Sequence, residues 1–223
     1  MNARSRTIGK SHGVAGIVGG VLFFAMLMSA QLPGGNTTPS QVIDYFGTRS
    51  HQLSAVMTAY GLALAAFLLA WFFIGLYRRT REAEPDGPTT STTLASIAGI
   101  ATVGSLLFAS ASIVAMGGPL VFESGAKADA GTVAIGWLAI SLLVIAMLPA
   151  AVTIFAVSVG ALRSGALPRW NVWLGLVSAV LLVPGSIVLS PMVLLTVWSV
   201  STSITLLRPV GVATVRATRP VAA

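Results

Sequence analysis

The chain has 223 residues, of which 55% are hydrophobic and only 9% are charged, and its formal net charge is +7. A soluble domain carries about 25% charged residues, so this chain has too little polar surface to face water, and lipid is its natural solvent. Its basic residues lie in short clusters between apolar runs, which is a membrane orientation signal and argues against a nucleic-acid groove. Cysteine is absent, which excludes disulfides, thiol catalysis and Cys-ligated metals.

The first apolar run, 13–32, follows a basic segment at 1–12. A signal peptide is the alternative interpretation, but the run is longer than the usual hydrophobic region, and Met28 is too large for a good cleavage site. We therefore expect a first membrane span. Gly16 and Gly20 form a pair of small residues four apart that would permit close helix contact, although glycine is also common in membrane helices without such a role.

The loop 33–52 contains a predicted surface helix. Thr38 and Gln41 form a capping-box pattern, and Pro39 stands at the first helical position. The apolar residues that follow on one face are Val42, Ile43, Tyr45 and Phe46. This pattern predicts a short helix that lies on the membrane surface.

The remaining apolar runs predict five further spans. Two are 53–77 and 92–116, the second stopped by the glycines and proline at 117–119. The run 132–162 would make a helix of about 46 Å, against a hydrocarbon core of roughly 30 Å, so it must tilt, kink or project, and Pro149 is the predicted kink. The uncharged stretch that follows is too long for one helix and predicts two spans within 168–207. We expect the turn between these two spans at 184–191.

The distribution of basic residues predicts the orientation. With the amino terminus inside, 11 of the 13 Lys and Arg residues lie on the inner side, which agrees with the positive-inside rule. The inner residues that determine the topology between spans are Arg78, Arg79, Arg81, Arg163 and Arg169. The prediction is a single six-helix bundle, 13–207, in the plasma membrane, flanked by basic cytoplasmic tails at 1–12 and 208–223.

The sequence offers little material for catalysis. No ionisable residue lies inside a predicted span, and His12 and His51 are both placed outside the spans. Asp44 and His51 form the one acid–imidazole pair near one surface, without a nucleophile beside them. The acidic linker 82–88 is interpreted as a solvated loop rather than a metal cluster. We therefore expect no catalytic residue, no bound cofactor and no metal site.

The most polar membrane stretch belongs to the sixth span. Thr196, Ser199 and Ser203 recur at helical spacing and share one face, while Trp198 lies near mid-span on another side. This face is predicted to point into the bundle. It would be either one wall of a small polar cavity or, as is ordinary for hydroxyl residues, a contact between helices.

The link at 161–175 resembles a known pattern, an Arg-x-Gly-x-Leu-Pro-Arg-Trp turn that leads into Trp-Leu-Gly and an aliphatic helix. The residues that carry it are Arg163, Gly165, Leu167, Pro168, Arg169, Trp170, Trp173, Leu174 and Gly175. In this pattern the chain is similar to six-span membrane proteins common in actinobacteria, of the DUF4386-like kind. The resemblance implies a six-helix membrane fold and carries no activity with it.

Two functions remain open at this point. The first is a non-enzymatic integral membrane protein that partners other membrane proteins or senses the state of the envelope. The alternative is a channel or carrier for a small neutral or lipid-like solute, which would use the hydroxyl face of the sixth span. In either case the expected partners are the lipid bilayer and other membrane proteins, and no nucleic acid; the oligomeric state is left open.

Overall fold

The computed structural model describes residues 3–29, 37–84, 89–123, 125–185 and 191–207. Every regular element within these ranges is an α-helix. The seven helices are α1 (Ala3–Ser29), α2 (Pro39–Phe46), α3 (Arg49–Glu82), α4 (Thr90–Phe122), α5 (Ala130–Ser164), α6 (Arg169–Gly185) and α7 (Pro191–Leu207). Helices α3, α4 and α5, and the part of α1 from Lys10 to Ser29, are long and apolar enough to cross a membrane, whereas α6 and α7 are shorter apolar helices.

Six of the helices form a closed ring. Contacts run in the order α1, α3, α4, α5, α6, α7 and back to α1, and α3 also touches α5 across the ring. Helix α1 therefore packs between α3, which follows it closely in the chain, and α7 from the far end of the chain. The buried apolar core runs along the inner faces of these helices.

Helix α4 is longer than its predicted span. The prediction that Gly117, Gly118 and Pro119 stop this helix is wrong, because α4 continues to Phe122. Gly117 lies close against α3, where an added Cβ would stand 3.2 Å from Val56, so the glycine serves a helix contact rather than a turn. Pro119 is exposed and lies in the last helical turn, where its missing N–H costs one hydrogen bond near a helix end.

The short helix α2 forms with the predicted capping box. The Thr38 backbone N–H donates to Gln41 Oε1 at 2.8 Å, and the Gln41 N–H donates to Thr38 Oγ1 at 3.4 Å. Val42 and Phe46 are buried, and α2 contacts α3 and α5. Helix α2 thus covers one end of the ring, and its position on a membrane surface stays a prediction.

Helix α5 continues through Pro149, and the Thr153 hydroxyl donates to the Pro149 carbonyl at 2.8 Å. It ends at Gly165, whose φ of +69° is the left-handed conformation that favours glycine. The residues of the predicted turn between the last two spans, 186–190, lie outside the described part of the chain, as does the carboxyl-terminal tail 208–223.

Candidate functional site

The contact between α1 and α7, which we call the α1–α7 seam, is built from glycines on one side and hydroxyl residues on the other. A Cβ added at Gly16 would collide with Ser203 Oγ, and one added at Gly20 would collide with Ser199 Oγ. The register runs oppositely in the two helices, so α1 and α7 are antiparallel. The structure thus brings together two sets of small residues, one from each end of the chain.

The seam hydroxyls bond to backbone rather than to one another. Thr196 Oγ1 donates to the Gly20 carbonyl at 3.3 Å, and Ser199 Oγ donates to the Thr196 carbonyl at 3.0 Å. Ser199 and Ser203 are both fully buried. Ser199 and Ser203 therefore lie inside a close helix contact. Their hydroxyls occupy the space that the glycines leave on α1.

A second polar face of α7 meets α6. Asn171 Nδ2 donates to Ser201 Oγ at 3.3 Å, and Thr202 Oγ1 donates to Asn171 Oδ1 at 3.1 Å. One amide thus joins two hydroxyls on the facing helix. This contact gives α6 and α7 a defined register.

Trp198 is fully buried at the centre of the ring. Its ring meets Phe72 edge-on, with centroids 5.9 Å apart. Its Nε1 lies 2.8 Å from the point where a Gly175 Cβ would stand, and Ser158 Oγ of α5 lies closer still to that point. Gly175 therefore allows groups from α5 and α7 to meet at the surface of α6.

The interior of the ring is mostly apolar, and several polar side chains are buried within it. Within the described ranges, the buried side-chain atoms without a hydrogen-bond partner are His12 Nε2, Ser158 Oγ, Ser178 Oγ, Trp198 Nε1 and Ser203 Oγ. Hydroxyls, an amide, an indole and one imidazole can bind or orient a polar group, but they supply no carboxylate. No group of three His, Asp or Glu residues comes together among the described residues.

His12 corrects one prediction. The sequence interpretation placed it outside the spans, but it lies in the apolar part of α1 and is only 3% exposed. Its Nδ1–H donates to the Trp71 carbonyl at 2.8 Å, and its ring lies 5.0 Å from the Trp71 ring. Gly75 makes room for it, because a Cβ there would collide with the imidazole. The amphipathic imidazole is thus accommodated at the end of a span.

The arginines assigned to topology differ in their surroundings. Arg78, Arg81, Arg163 and Arg169 are exposed. Arg79 is half-buried, and its Nε donates to the Ala166 carbonyl at 3.3 Å. Arg79 therefore also holds the link between α5 and α6 against the end of α3.

Glu84, two residues after the end of α3, is hydrogen-bonded to residues at the start of α4. The Thr89 N–H and hydroxyl donate to Glu84 at 3.0 and 2.8 Å, and the Thr92 hydroxyl also donates to it. Burial opposes ionisation of Glu84, but the hydrogen bonds from Thr92 and Thr89 outweigh it and lower the pKa of this carboxyl. Glu84 therefore connects the end of α3 to the start of α4 through hydrogen bonds.

His51 is occupied by packing. Its ring stacks on Tyr45 at 3.9 Å, and its Nδ1–H donates to the Tyr45 carbonyl at 2.9 Å. The neighbouring Gln52 Nε2 donates to the Phe46 carbonyl at 2.6 Å. These bonds fasten α2 to α3, and no hydrogen bond joins His51 to Asp44 in the described part of the chain.

A groove opens between α3 and α4, away from the seam. This α3–α4 groove has a volume of about 460 Å³ and is mostly apolar. Ile74 and Tyr77 line it from α3, Gly99 and Gly104 line it from α4, and Thr153 of α5 lies behind them. No atom outside its own helix lies within 4 Å of the Cβ position of Gly104, so this glycine faces open space.

Sequence reasoning missed the polar residues of α6. Asn171, Gly175 and Ser178 are spaced by four and three residues, which is one helix face, and all three are buried. This spacing, in a run that is otherwise aliphatic, was the available signal. The link was instead interpreted for its charge and for its resemblance to a known turn pattern.

Comparison with known proteins adds no relative: no family model matches the chain, and no curated protein or solved structure matches it. The resemblance to six-span actinobacterial proteins therefore stays an expectation.

Proposed function

We propose that the chain is a six-span protein of the plasma membrane, with both termini in the cytoplasm, that acts by binding other membrane proteins or by sensing the envelope and not by catalysis. One observation carries the proposal: large apolar side chains are exposed on the outside of the ring, around a core that is also apolar and contains buried hydroxyls. Phe108 and Ile100 are each 71% exposed on the outside, whereas Ser199 is fully buried inside the ring. Apolar side chains of this size face lipid or another helix in a membrane.

The two shorter helices are included as spans. Helices α6 and α7 have 17 residues each, which is at the lower limit of roughly 17–25 residues for a spanning helix. Both complete the ring between α5 and α1, and Asn171 joins them through buried hydrogen bonds. A hydrogen-bonded amide is better placed inside the bundle than at its surface, which supports the inclusion of both helices.

The runner-up function is a carrier or channel for a neutral or lipid-like solute. The α1–α7 seam counts against a polar path along Thr196, Ser199 and Ser203, because the hydroxyls fill a close helix contact. The α3–α4 groove favours a lipid-like solute, since it is apolar and open to the side. This function is distinguished from the first by movement of the solute across the bilayer.

Topology is tested with single cysteines in this cysteine-free chain. Variants Thr48→Cys and Lys127→Cys should react with a membrane-impermeant thiol reagent on intact cells. Variants Glu82→Cys and Ser164→Cys should react only after the membrane is opened. Labelling of position 82 or 164 on intact cells would contradict the six-span arrangement.

The binding role is tested by photo-crosslinking in cells. A photoreactive phenylalanine analogue at Phe67 or Phe108, which are both exposed on the outside of the ring, should give an adduct of one discrete protein mass. Adducts with lipid alone at both positions, together with solute uptake that depends on the protein, would favour the carrier instead.

A further inference from the structure

We propose that the α3–α4 groove is a binding site for an anionic phospholipid, with one acyl chain in the groove and the phosphate held by Arg78 and Arg81. The inference rests on the proposed topology, which puts this end of the bundle in the inner leaflet. It goes beyond that proposal by assigning a ligand and a site.

The groove has the size and lining of a ligand site. Its volume of about 460 Å³ lies within the range of ~300–1,000 Å³ that is usual for small-molecule sites. Gly99 and Gly104 have no side chain to fill the groove on the α4 side. Ile74 of α3 and Ile100 of α4 are exposed at its two edges. The result is a narrow apolar space with an open side, which suits a flexible hydrocarbon chain.

The groove leads to a cationic helix end. Ile74 and Tyr77 line the groove. Arg78 follows Ile74 by four positions and Arg81 follows Tyr77 by four, so all four residues share one face of α3. Both arginines are exposed and make no hydrogen bond or ion pair within the described residues. Arg79 points to the opposite side and is engaged by the Ala166 carbonyl.

The described acidic residues nearby, Glu82 and Glu84, form no ion pair with these two arginines. Glu84 accepts hydrogen bonds from Thr89 and Thr92, which occupy its carboxylate. Glu82 is exposed and makes no ion pair with Arg78 or Arg81 within the described residues. A phosphate at the inner end of the groove would therefore meet two cations on one helix face, and arginine binds phosphate well. Basic pockets between membrane helices at the cytoplasmic side commonly hold anionic head groups.

The test uses the full chain in nanodiscs that contain a phosphatidylglycerol with a photoreactive acyl chain. Irradiation should attach the lipid to peptides of α3 and α4 that line the groove, as located by mass spectrometry. Phosphatidylglycerol without the photoreactive group should compete, and phosphatidylcholine should compete far less. Replacement of either arginine, as Arg78→Gln or Arg81→Gln, should lower attachment of the photoreactive phosphatidylglycerol about fivefold.

Groove-filling variants test the acyl chain. Gly104→Leu should lower lipid attachment about tenfold, because each displaced methylene is worth roughly a factor of four. Its matched control is Ala101→Leu, on the same helix but exposed and away from the lining. Ser96→Leu fills the groove from another lining position and serves if the Gly104 variant does not fold.

Each outcome decides the proposal. Attachment in the groove that is lost in Gly104→Leu or Ser96→Leu and kept in Ala101→Leu supports it. Equal attachment in all variants, equal competition by both lipids, or attachment of the lipid only to peptides outside the groove would overturn it. The cysteine labelling of the termini and loops is a separate measurement, so a wrong topology and a wrong lipid site would be told apart.

Discussion

The α1–α7 seam and the α3–α4 groove are both lined by glycine, and they differ in what stands opposite. At the seam, serine hydroxyls occupy the places that Cβ atoms would take at Gly16 and Gly20. In the groove, the Cβ position of Gly104 faces open space. The comparison teaches that a glycine in a membrane helix indicates close contact only when the facing helix supplies the filling group.

The two regions also differ in polarity. The seam side of the ring, with the adjoining Trp198 and Asn171, holds several buried hydroxyls, an amide and an indole. The lining of the groove is mostly apolar, and two exposed arginines follow it at the end of α3. We therefore expect substitutions on the seam side to change stability and substitutions on the groove side to change ligand binding.

The largest effect on stability is expected from a bulky residue at Gly175, on the seam side of the ring. Gly175→Leu would force apart Trp198 and Ser158, which already crowd the position of a Cβ. Overpacking of this kind costs about 1–3 kcal/mol and occasionally more. Gly104→Leu is the matched control and should leave the melting temperature in detergent nearly unchanged. Equal melting temperatures for the two variants would contradict the difference between the two sides.

A smaller effect is expected at the amide between α6 and α7. Asn171→Ala removes both bonds, to Ser201 and Thr202, and leaves the buried Thr202 hydroxyl without its acceptor. Because hydrogen bonds between membrane helices average about 0.6 kcal/mol each, the loss should be near 1 kcal/mol. Ser141→Ala, at an exposed position of α5, is the control. A variant as stable as the parent would show that the amide does not join these helices.

The hydrogen-bonded carboxylate of Glu84 makes the stability of the protein depend on pH. The pKa of Glu84 is lowered in the folded chain from the ordinary 4.5, so its contribution to stability is present above that value and is lost as pH falls through the folded pKa. The parent protein should lose thermal stability as pH falls below about 4.5, more than Glu84→Gln does. The melting temperatures of both proteins, measured across acidic pH, check this. Parallel curves of melting temperature against pH would contradict a stabilising role of the Glu84 carboxylate.

The smallest effect is expected from the seam hydroxyls themselves. Ser199 donates within its own helix, and Ser203 Oγ has no partner among the described residues. Ser199→Ala with Ser203→Ala keeps the Cβ atoms beside Gly20 and Gly16 and should cost less than the ~0.6 kcal/mol typical of one interhelical bond. A large loss of thermal stability in this double variant would show that the hydroxyls bind something beyond α1.

Hydropathy and charge predicted the helical class and the long apolar helices, because both depend on local composition. The pairs Gly16–Gly20 and Ser199–Ser203 were each visible as small-residue spacings. Their contact was not, since Thr196 and Gly20 lie 176 positions apart and no local pattern states which helices meet. Gly117, before Pro119, was misinterpreted as part of a helix stop for the same reason: its neighbour Val56 lies on another helix.

His12 and the groove illustrate the other limit. The imidazole is buried because Gly75 and Trp71 of α3 receive it, which the basic amino-terminal sequence does not reveal. The groove depends on how α3 and α4 lie over α5 along their length. Its glycines, Gly99 and Gly104, look in sequence like those of the seam, so only the tertiary arrangement distinguishes them.

The sign of one matched pair of substitutions tests the central comparison most directly. Gly20→Ala places a methyl group on Ser199 Oγ at the seam, whereas Gly104→Ala places one in open space and gains up to about 1 kcal/mol of helix propensity. In the same detergent, the melting temperature should therefore fall for Gly20→Ala and stay equal or rise for Gly104→Ala. A rise for both variants, or a fall for both, would contradict the closed seam and open groove on which this account depends.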